Sequence, residues 1–339
     1  MHLAALTTVV AATPAPTASA SNVAKADFMK GVVVSCPGYG RVWGSPAMTQ
    51  TLRTLKPLGV NWVQIHPYAG VRRDGRIRWQ PAAETGYLPG AIRIAREEGV
   101  QLFWKPHLAY WGSFEWRGAI TFSDDASWRR FFDGYRAFIV DQARFAQKNG
   151  VRLFSIGLEY HQTLKYEAEW RRIIKAVREV YKGRITYAAN WDSLERVPFW
   201  DALDVIGVQA YFPLSKSRNP TFEDIRKGWT KPLATLNRLS KKFNKNFIFA
   251  EIGYSRSLDA ATKPWEPATD SSDKAVANRR RLMEVALSRL SREPHLEGMF
   301  WWKWVPRAGF GDGDFSMMAP EATALLKRYW GASARKAPR

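Results

Sequence analysis

Between residues 29 and 329 the chain alternates between short apolar runs and longer amphipathic stretches, and it keeps that rhythm to the end. The apolar runs cover residues 31–36, 60–66, 100–107, 151–159, 184–190, 202–211, 246–251 and 296–304. They are of strand length and rich in β-branched and aromatic residues, as buried strands are. Helical patterns begin near Ser45-Pro46, a cap and first-turn pair, and recur over 86–98, 125–149, 167–181, 231–243, 273–290 and 320–329. Strands separated by helices run parallel, with the helices as crossovers. Eight such units in about 300 residues predict a single (β/α)8 barrel. An open doubly wound sheet would carry a glycine-rich phosphate loop after its first strand. Residues 36–46, CPGYGRVWGSP, have glycines but not the G-x-G-x-x-G spacing.

A barrel builds its site at the C-terminal ends of its strands. The residues ending the eight runs are Cys36, His66, His107, Glu159, Asn190, Tyr211, Glu251 and either Trp302 or Trp304. This is a polar, aromatic and acidic ring; Trp104, in the third run, is counted with its aromatic members. Glu159 and Glu251 stand out, because a strand interior penalises charge unless the strand emerges into a polar cleft. They end the fourth and seventh strands, which face each other across the mouth. One carboxyl kept protonated and one kept ionised are the minimal equipment for cleaving a glycosidic bond.

Other acidic residues fit this less well. Glu167, Glu169 and Glu179 lie on a helical pattern, and Asp192, Asp201 and Asp204 in or beside a loop. Asp312 and Asp314, after the eighth strand, are placed to line an outer subsite. The histidines do not suggest a metal site. Metal-dependent hydrolases of this fold place His-x-His on the first strand, which here reads GVVVSC. His66 and His107 are expected to hydrogen-bond substrate hydroxyls or a glutamate, with no metal and no cofactor. The lone Cys36 excludes an internal disulfide.

The formal charge of +20 raises the question of an anionic partner. Its sources are scattered over many helices and form no nucleic-acid motif, so no nucleic-acid partner is expected. The 16 tryptophans are above average and costly in a core, since each buried indole N–H needs an acceptor, although composition alone favours core over cleft. Some are expected to form a cleft for flat sugar faces. No run is long enough to span a bilayer. Residues 1–26 read as a signal peptide or a disordered extension: 3–12 resemble a signal core and 18–20 a cleavage site, but no basic residue precedes them. A secreted or periplasmic location follows, with a cytoplasmic one as the alternative. Residues 27–332 then form the barrel domain and 333–339 a basic tail. The protein is expected to act as a monomer.

The stretch FSIGLEYHQTLKYEAEWRRIIKAVREVYKGRITYAANWD, 154–192, resembles glycoside hydrolase family 113, a clan A group of retaining β-mannanases. KGVVVSCPGYG, GVNWVQIHPYA, FIFAEIGY and MFWWKW extend the resemblance over nearly the whole barrel. It implies that Glu159 is the acid/base and Glu251 the nucleophile. It further implies that Tyr211 hydrogen-bonds the nucleophile, and that Trp302, or alternatively Trp304, floors the subsite of the attacked sugar. Many clan A families have Asn directly before the acid/base; here that residue is Leu158. Contact with the sugar 2-hydroxyl would then fall to Asn190 or His107. The expected activity is retaining hydrolysis of β-1,4-mannan or a related hemicellulose. The competing readings are a different β-linked or acidic glycan as substrate, and a non-catalytic glycan-binding barrel.

Overall fold

The computed structural model describes residues 28–306 and 314–331. The segment 1–26, the tail 333–339 and Asp312 lie outside the described residues. Eight strands carry the architecture: β1 (Met29–Val34), β2 (Trp62–Ile65), β3 (Gln101–Trp104), β4 (Leu153–Leu158), β5 (Arg184–Asn190), β6 (Ile206–Gln209), β7 (Phe247–Ile252) and β8 (Leu296–Trp304). They pair in chain order, every pair parallel, and β8 returns to β1 to close the ring. Around them pack α1 (Pro46–Leu55), α2 (Tyr87–Glu97), α3 (Asp125–Lys148), α4 (Glu167–Val180), α5 (Phe222–Gly228), α6 (Thr230–Phe243), α7 (Asp273–Val285) and α8 (Pro320–Trp330). The fold is the (β/α)8 barrel that the alternation implies.

The helices are set by local chemistry. Asp124 caps α3 by accepting from the Ser127 N–H at 2.8 Å, and Trp128, Phe131, Phe132, Tyr135, Phe138 and Ile139 form its buried stripe. In α4 the buried positions are Trp170, Ile173, Ile174 and Val177, the three-and-four spacing of one helix face. The rhythm breaks once. Between β5 and β6 only two short 3-10 turns, Leu194–Arg196 and Trp200–Ala202, cover the barrel wall. This connection is short, and Pro198 in its middle lacks an N–H and restricts the residue before it. Phe199, Trp200 and Leu203 still bury their side chains there.

Inside the ring, side chains alternate with those facing the helices. Phe103 of β3 and Phe300 of β8 meet with centroids 5.0 Å apart and fill the barrel below the mouth. Gly31 of β1 pairs with Phe300, and a Cβ there would lie 2.2 Å from that ring. The buried tryptophans differ in how their N–H groups are met, and those of Trp229 and Trp301 have no hydrogen-bond partner among the described residues. Trp43, Trp104, Trp170, Trp200, Trp229 and Trp301 are fully buried, and the indoles of Trp43 and Trp200 donate to Ser35 and Leu194 carbonyls at 2.9 and 2.8 Å. Trp111, Trp116 and Trp265 stay exposed.

At the C-terminal end of the barrel the third run breaks after Trp104. Lys105 and Pro106 leave the strand, and His107–Ala109 pairs in parallel with Tyr68–Val71. Ile77–Arg78 completes a small second sheet beside the mouth.

Candidate active site

Glu251 lies within β7 and is 4% exposed. Its two carboxylate oxygens have different partners. Lys105 Nζ donates to Oε1 at 2.5 Å, and the Tyr211 hydroxyl donates to Oε2 at 2.9 Å. Alternation explains Lys105: Phe103 points into the barrel, Trp104 points out, and Lys105 points in again. The ammonium is fully buried and makes two further bonds, to Gln209 Oε1 at 3.1 Å and to the Gln64 side-chain oxygen at 3.1 Å. In that orientation the Gln64 nitrogen donates to the Ala250 carbonyl at 2.7 Å. Three acceptors thus meet three ammonium protons. Burial lowers the Lys105 pKa and Glu251 works against that shift. Burial, followed by the charges of Glu251 and Glu159, raises the pKa of Tyr211 well above its ordinary value, so its hydroxyl remains a donor.

Glu159 follows β4 directly, in the left-handed region at φ 51°. Its N–H donates to the Ala188 carbonyl at 2.9 Å. A non-glycine residue there is strained, by about 1–3 kcal/mol, and such strain is held where the surroundings over-determine it. Here they do. The Tyr160 N–H donates to the Tyr187 hydroxyl at 2.9 Å, and the Tyr160 hydroxyl accepts from the Leu108 N–H at 3.2 Å. The carboxylate receives Arg117 Nη1 at 3.0 Å on Oε2. Burial raises the Glu159 pKa above the ordinary glutamate value; Arg117 opposes this and Glu251 adds to it. Burial disfavours the Arg117 charge, but Glu159 and the phenols around it raise its pKa, so the guanidinium stays charged.

His66 and His107 are fully buried and stacked, with centroids 4.7 Å apart. Burial lowers both pKa values well below the usual histidine range, and the nearby Lys105 and Arg117 push the same way. Both rings are neutral near pH 7. Neither ring nitrogen of His107, nor Nδ1 of His66, has a hydrogen-bond partner among the described residues. Trp302 lies 5.9 Å from His66, half-buried at the mouth. The Lys303 ammonium sits 5.4 Å from the Trp302 centroid and pairs with Asp314 at 3.5 Å. The peptide bond between Trp302 and Lys303 is cis.

The structure therefore gathers Glu159, Glu251, Tyr211, His66, His107 and Trp302 at one end of the barrel. Asn190 ends β5 at the same end, but its amide donates to Asp192 at 2.9 Å and to neither glutamate. Two expectations need correction. Trp104 does not face the cleft: alternation turns it outward, where its indole donates to Gln142 of α3 at 3.0 Å and packs on Phe145. Trp304 is only 6% exposed and belongs to the core, which leaves Trp302 as the mouth residue. Lys105 and Arg117 were missed. The period-two pattern carried past Phe103 would have pointed to Lys105; Arg117 comes from the long segment before α3 and has no comparable signal.

A cavity of about 1070 Å³ opens at the opposite end of the barrel, lined by Met29, Trp62, Gln101, Leu153, Arg184 and Glu297. These residues begin or sit near the start of their strands. Arg184 and Glu297 there neutralise each other at 2.6 Å. Among the described residues no group of three or more His, Cys, Asp or Glu side chains is arranged to hold a metal ion, and no helix is long and apolar enough to cross a membrane.

Comparison with known proteins bears on this geometry. The sequence model of Glycoside Hydrolase Family 113 matches residues 37–311. Among solved structures, the GH113 β-mannanase AaManA from Alicyclobacillus acidocaldarius, in complex with ManMIm, superposes with a TM-score of 0.78 at 23% identity, over 91% of this chain and 99% of that one. A second GH113 β-1,4-mannanase gives 0.77 at 21% identity, over 90% and 99%. The β-glucuronidase of Ruminococcus gnavus gives 0.62 at 14% identity, over 89% of this chain and 49% of that one. At these identities the superpositions speak for the fold. No match is found among the curated proteins.

Proposed function

Because the chain belongs to glycoside hydrolase family 113, we propose that it hydrolyses β-1,4-linked mannan with retention of anomeric configuration, using Glu251 as nucleophile and Glu159 as acid/base. The observation that carries this reading is the unequal treatment of the two buried carboxylates. Glu251 is held by an ammonium on one carboxylate oxygen and a phenol on the other, which fixes its orientation. Glu159 is pushed by burial toward its protonated form.

In the first step Glu251 Oε attacks the anomeric carbon, and the glycosidic C–O bond breaks. Glu159 gives its proton to the departing oxygen. In the second step Glu159, now ionised, takes a proton from water, the water oxygen attacks the same carbon, and Glu251 is released. The strand-6 phenol and Lys105 keep one nucleophile orientation throughout. Trp302 supplies ring surface for the attacked sugar, with the neutral, buried rings of His66 and His107 packed behind it. The two mannanase superpositions support mannan as the substrate.

Product analysis by NMR on mannan, xylan, cellulose and an acidic glycan tests the substrate. Manno-oligosaccharides whose new reducing ends appear first in the β form are the expected products from mannan; turnover confined to the acidic glycan, and lost as salt rises, would refute it. The roles are tested with azide. Glu159→Ala should retain activity on activated aryl glycosides and be rescued by azide with retention. Rescue of Glu251→Ala with an inverted product is expected as well; the assignment fails if the two variants exchange these stereochemical outcomes.

A further inference from the structure

Beyond the groups that touch the two glutamates, the mouth carries exposed aromatic rings on two separate lips. Trp191 directly follows Asn190 at the end of β5. It stacks on Trp265, from the segment after β7, with centroids 5.6 Å apart and planes 16° apart. Trp265 is 44% exposed. Trp191 also meets Phe212 at 6.1 Å, and Phe212 is the neighbour of Tyr211, which bonds Glu251. Trp191, next to Asn190 at the end of β5, places the pair at the same end of the barrel as the site. On the other lip stands Trp111, 56% exposed, 5.4 Å from both Tyr68 and Tyr110 in the segments after β2 and β3.

The closed ring places these lips opposite each other. With strands in chain order around the barrel, β2 lies across from β6 and β3 across from β7. Trp302, His66 and His107 come from the ends of β8, β2 and β3, so the attacked sugar sits toward that side. Glu159, after β4, must stand beside the departing oxygen. The departing chain then runs away from Trp302, toward the lip formed after β5, β6 and β7. Large rings left in water in that position are at odds with burial, unless an apolar face covers them.

We propose that the Trp191–Trp265 stack is a binding subsite for the leaving-group side of a β-linked hexose chain, at least one sugar beyond the scissile bond. Trp111 and Tyr110 play the matching part on the far lip. A chain held on both lips is cut internally. This rests on the assignment of Glu159 and Glu251 above.

The test compares wild type with Trp265→Ala, an exposed position at which the fold is not at stake. The ratio of kcat/KM on mannohexaose to that on an aryl mannobioside is expected to fall by at least roughly tenfold, the effect of losing one stacking contact. Trp265→Phe should recover part of it. Binding is read separately by calorimetry with manno-, xylo- and cellohexaose on a Glu159→Gln background. Weaker binding of whichever hexaose is held, on adding Trp265→Ala, supports the subsite even if mannan is not the substrate. Failure of wild type to cleave mannan would instead refute only the substrate reading. An unchanged ratio with unchanged affinity overturns the subsite, as does binding of no hexaose at all. A dimer that dissociates on Trp265→Ala also overturns it, because the platform then belongs to a second copy of the chain.

Discussion

Removing Lys105 should reveal how much of the barrel's stability is tied up in its chemistry. Lys105→Met leaves Glu251 in a nearly closed environment, 4% exposed, with only the Tyr211 hydroxyl on its second oxygen. At an effective dielectric near 20, opposite charges about 4 Å apart attract by about 4 kcal/mol. Breaking a buried pair by deleting one member costs about 3–5 kcal/mol. The lower end is expected here, about 3 kcal/mol, because the stranded carboxyl can neutralise itself instead of remaining charged. Glu251→Leu strands the ammonium in turn, with Gln64 and Gln209 as its remaining acceptors. The double variant has no stranded charge. Its loss should fall short of the summed single losses by about 2 kcal/mol or more, within the range of coupled neighbours. Equilibrium urea unfolding, followed by tryptophan fluorescence and checked for refolding, measures all four proteins. Losses that add to within about 0.5 kcal/mol would mean that the two groups are not coupled, and the reasoning would fail.

Glu159 must be protonated to act as an acid, and burial, opposed by Arg117 and reinforced by Glu251, raises its pKa. The alkaline limb of kcat/KM should lie above the ordinary glutamate value of about 4.3, and Arg117→Met should move it to higher pH still; a limb that moves down contradicts the assignment. By the same shift the Glu159 contribution to stability is full below its unfolded pKa and is lost as pH rises through the folded one. For His66 and His107 the sign is opposite: their folded pKa values are depressed, so their contribution is present above the unfolded value of about 6.5 and is lost on acidification. Each should add up to about 1.4 kcal/mol of lost stability per pH unit, and urea midpoints that stay flat between pH 7.5 and 5.5 would refute this. Trp302→Ala should lower kcat/KM at least tenfold, about 1.4 kcal/mol, with an unchanged unfolding midpoint. An unfolded variant would make Trp302 a core residue.

The readable part of this site was the part that violated local preference. Glu159 and Glu251 end apolar runs where charge is penalised, and that conflict marks them without any knowledge of the fold. Tyr211, His66 and His107 follow from the same strand-end logic. Trp104 was misplaced because run membership was read without phase. The alternation that turns it onto α3 is the same alternation that turns Lys105 inward. Trp304 and Trp302 share that phase by count alone; the register shifts between them, with Val32 opposite Trp301 and Val34 opposite Trp304, and this puts Trp304 in step with the buried Trp301. Arg117 reaches Glu159 from a residue 42 positions earlier in the chain, on a segment with neither strand nor helix periodicity. Nothing in a linear pattern encodes such a meeting. The absence of a helix between β5 and β6 was legible too: no helical pattern lies between residues 190 and 202, and Pro198 sits in the middle of a short connection.

The cradle of Lys105 looks different when followed in time. In the resting site its three acceptors are one carboxylate and two amides, and the charges balance. With Glu251 as the proposed nucleophile, its oxygen in the glycosyl-enzyme belongs to an ester and the ion pair with Lys105 is gone. The buried ammonium then bonds only neutral acceptors, and the negative charge has moved to Glu159, which acts on Lys105 without bonding it. The ion pair is restored when the ester breaks and the carboxylate returns. The arrangement therefore penalises the covalent intermediate and makes Glu251 a good leaving group, so the glycosyl-enzyme should be short-lived. A barrel built this way is poorly suited to storing the sugar for other acceptors, and the same cation that steadies the empty site hastens its clearing.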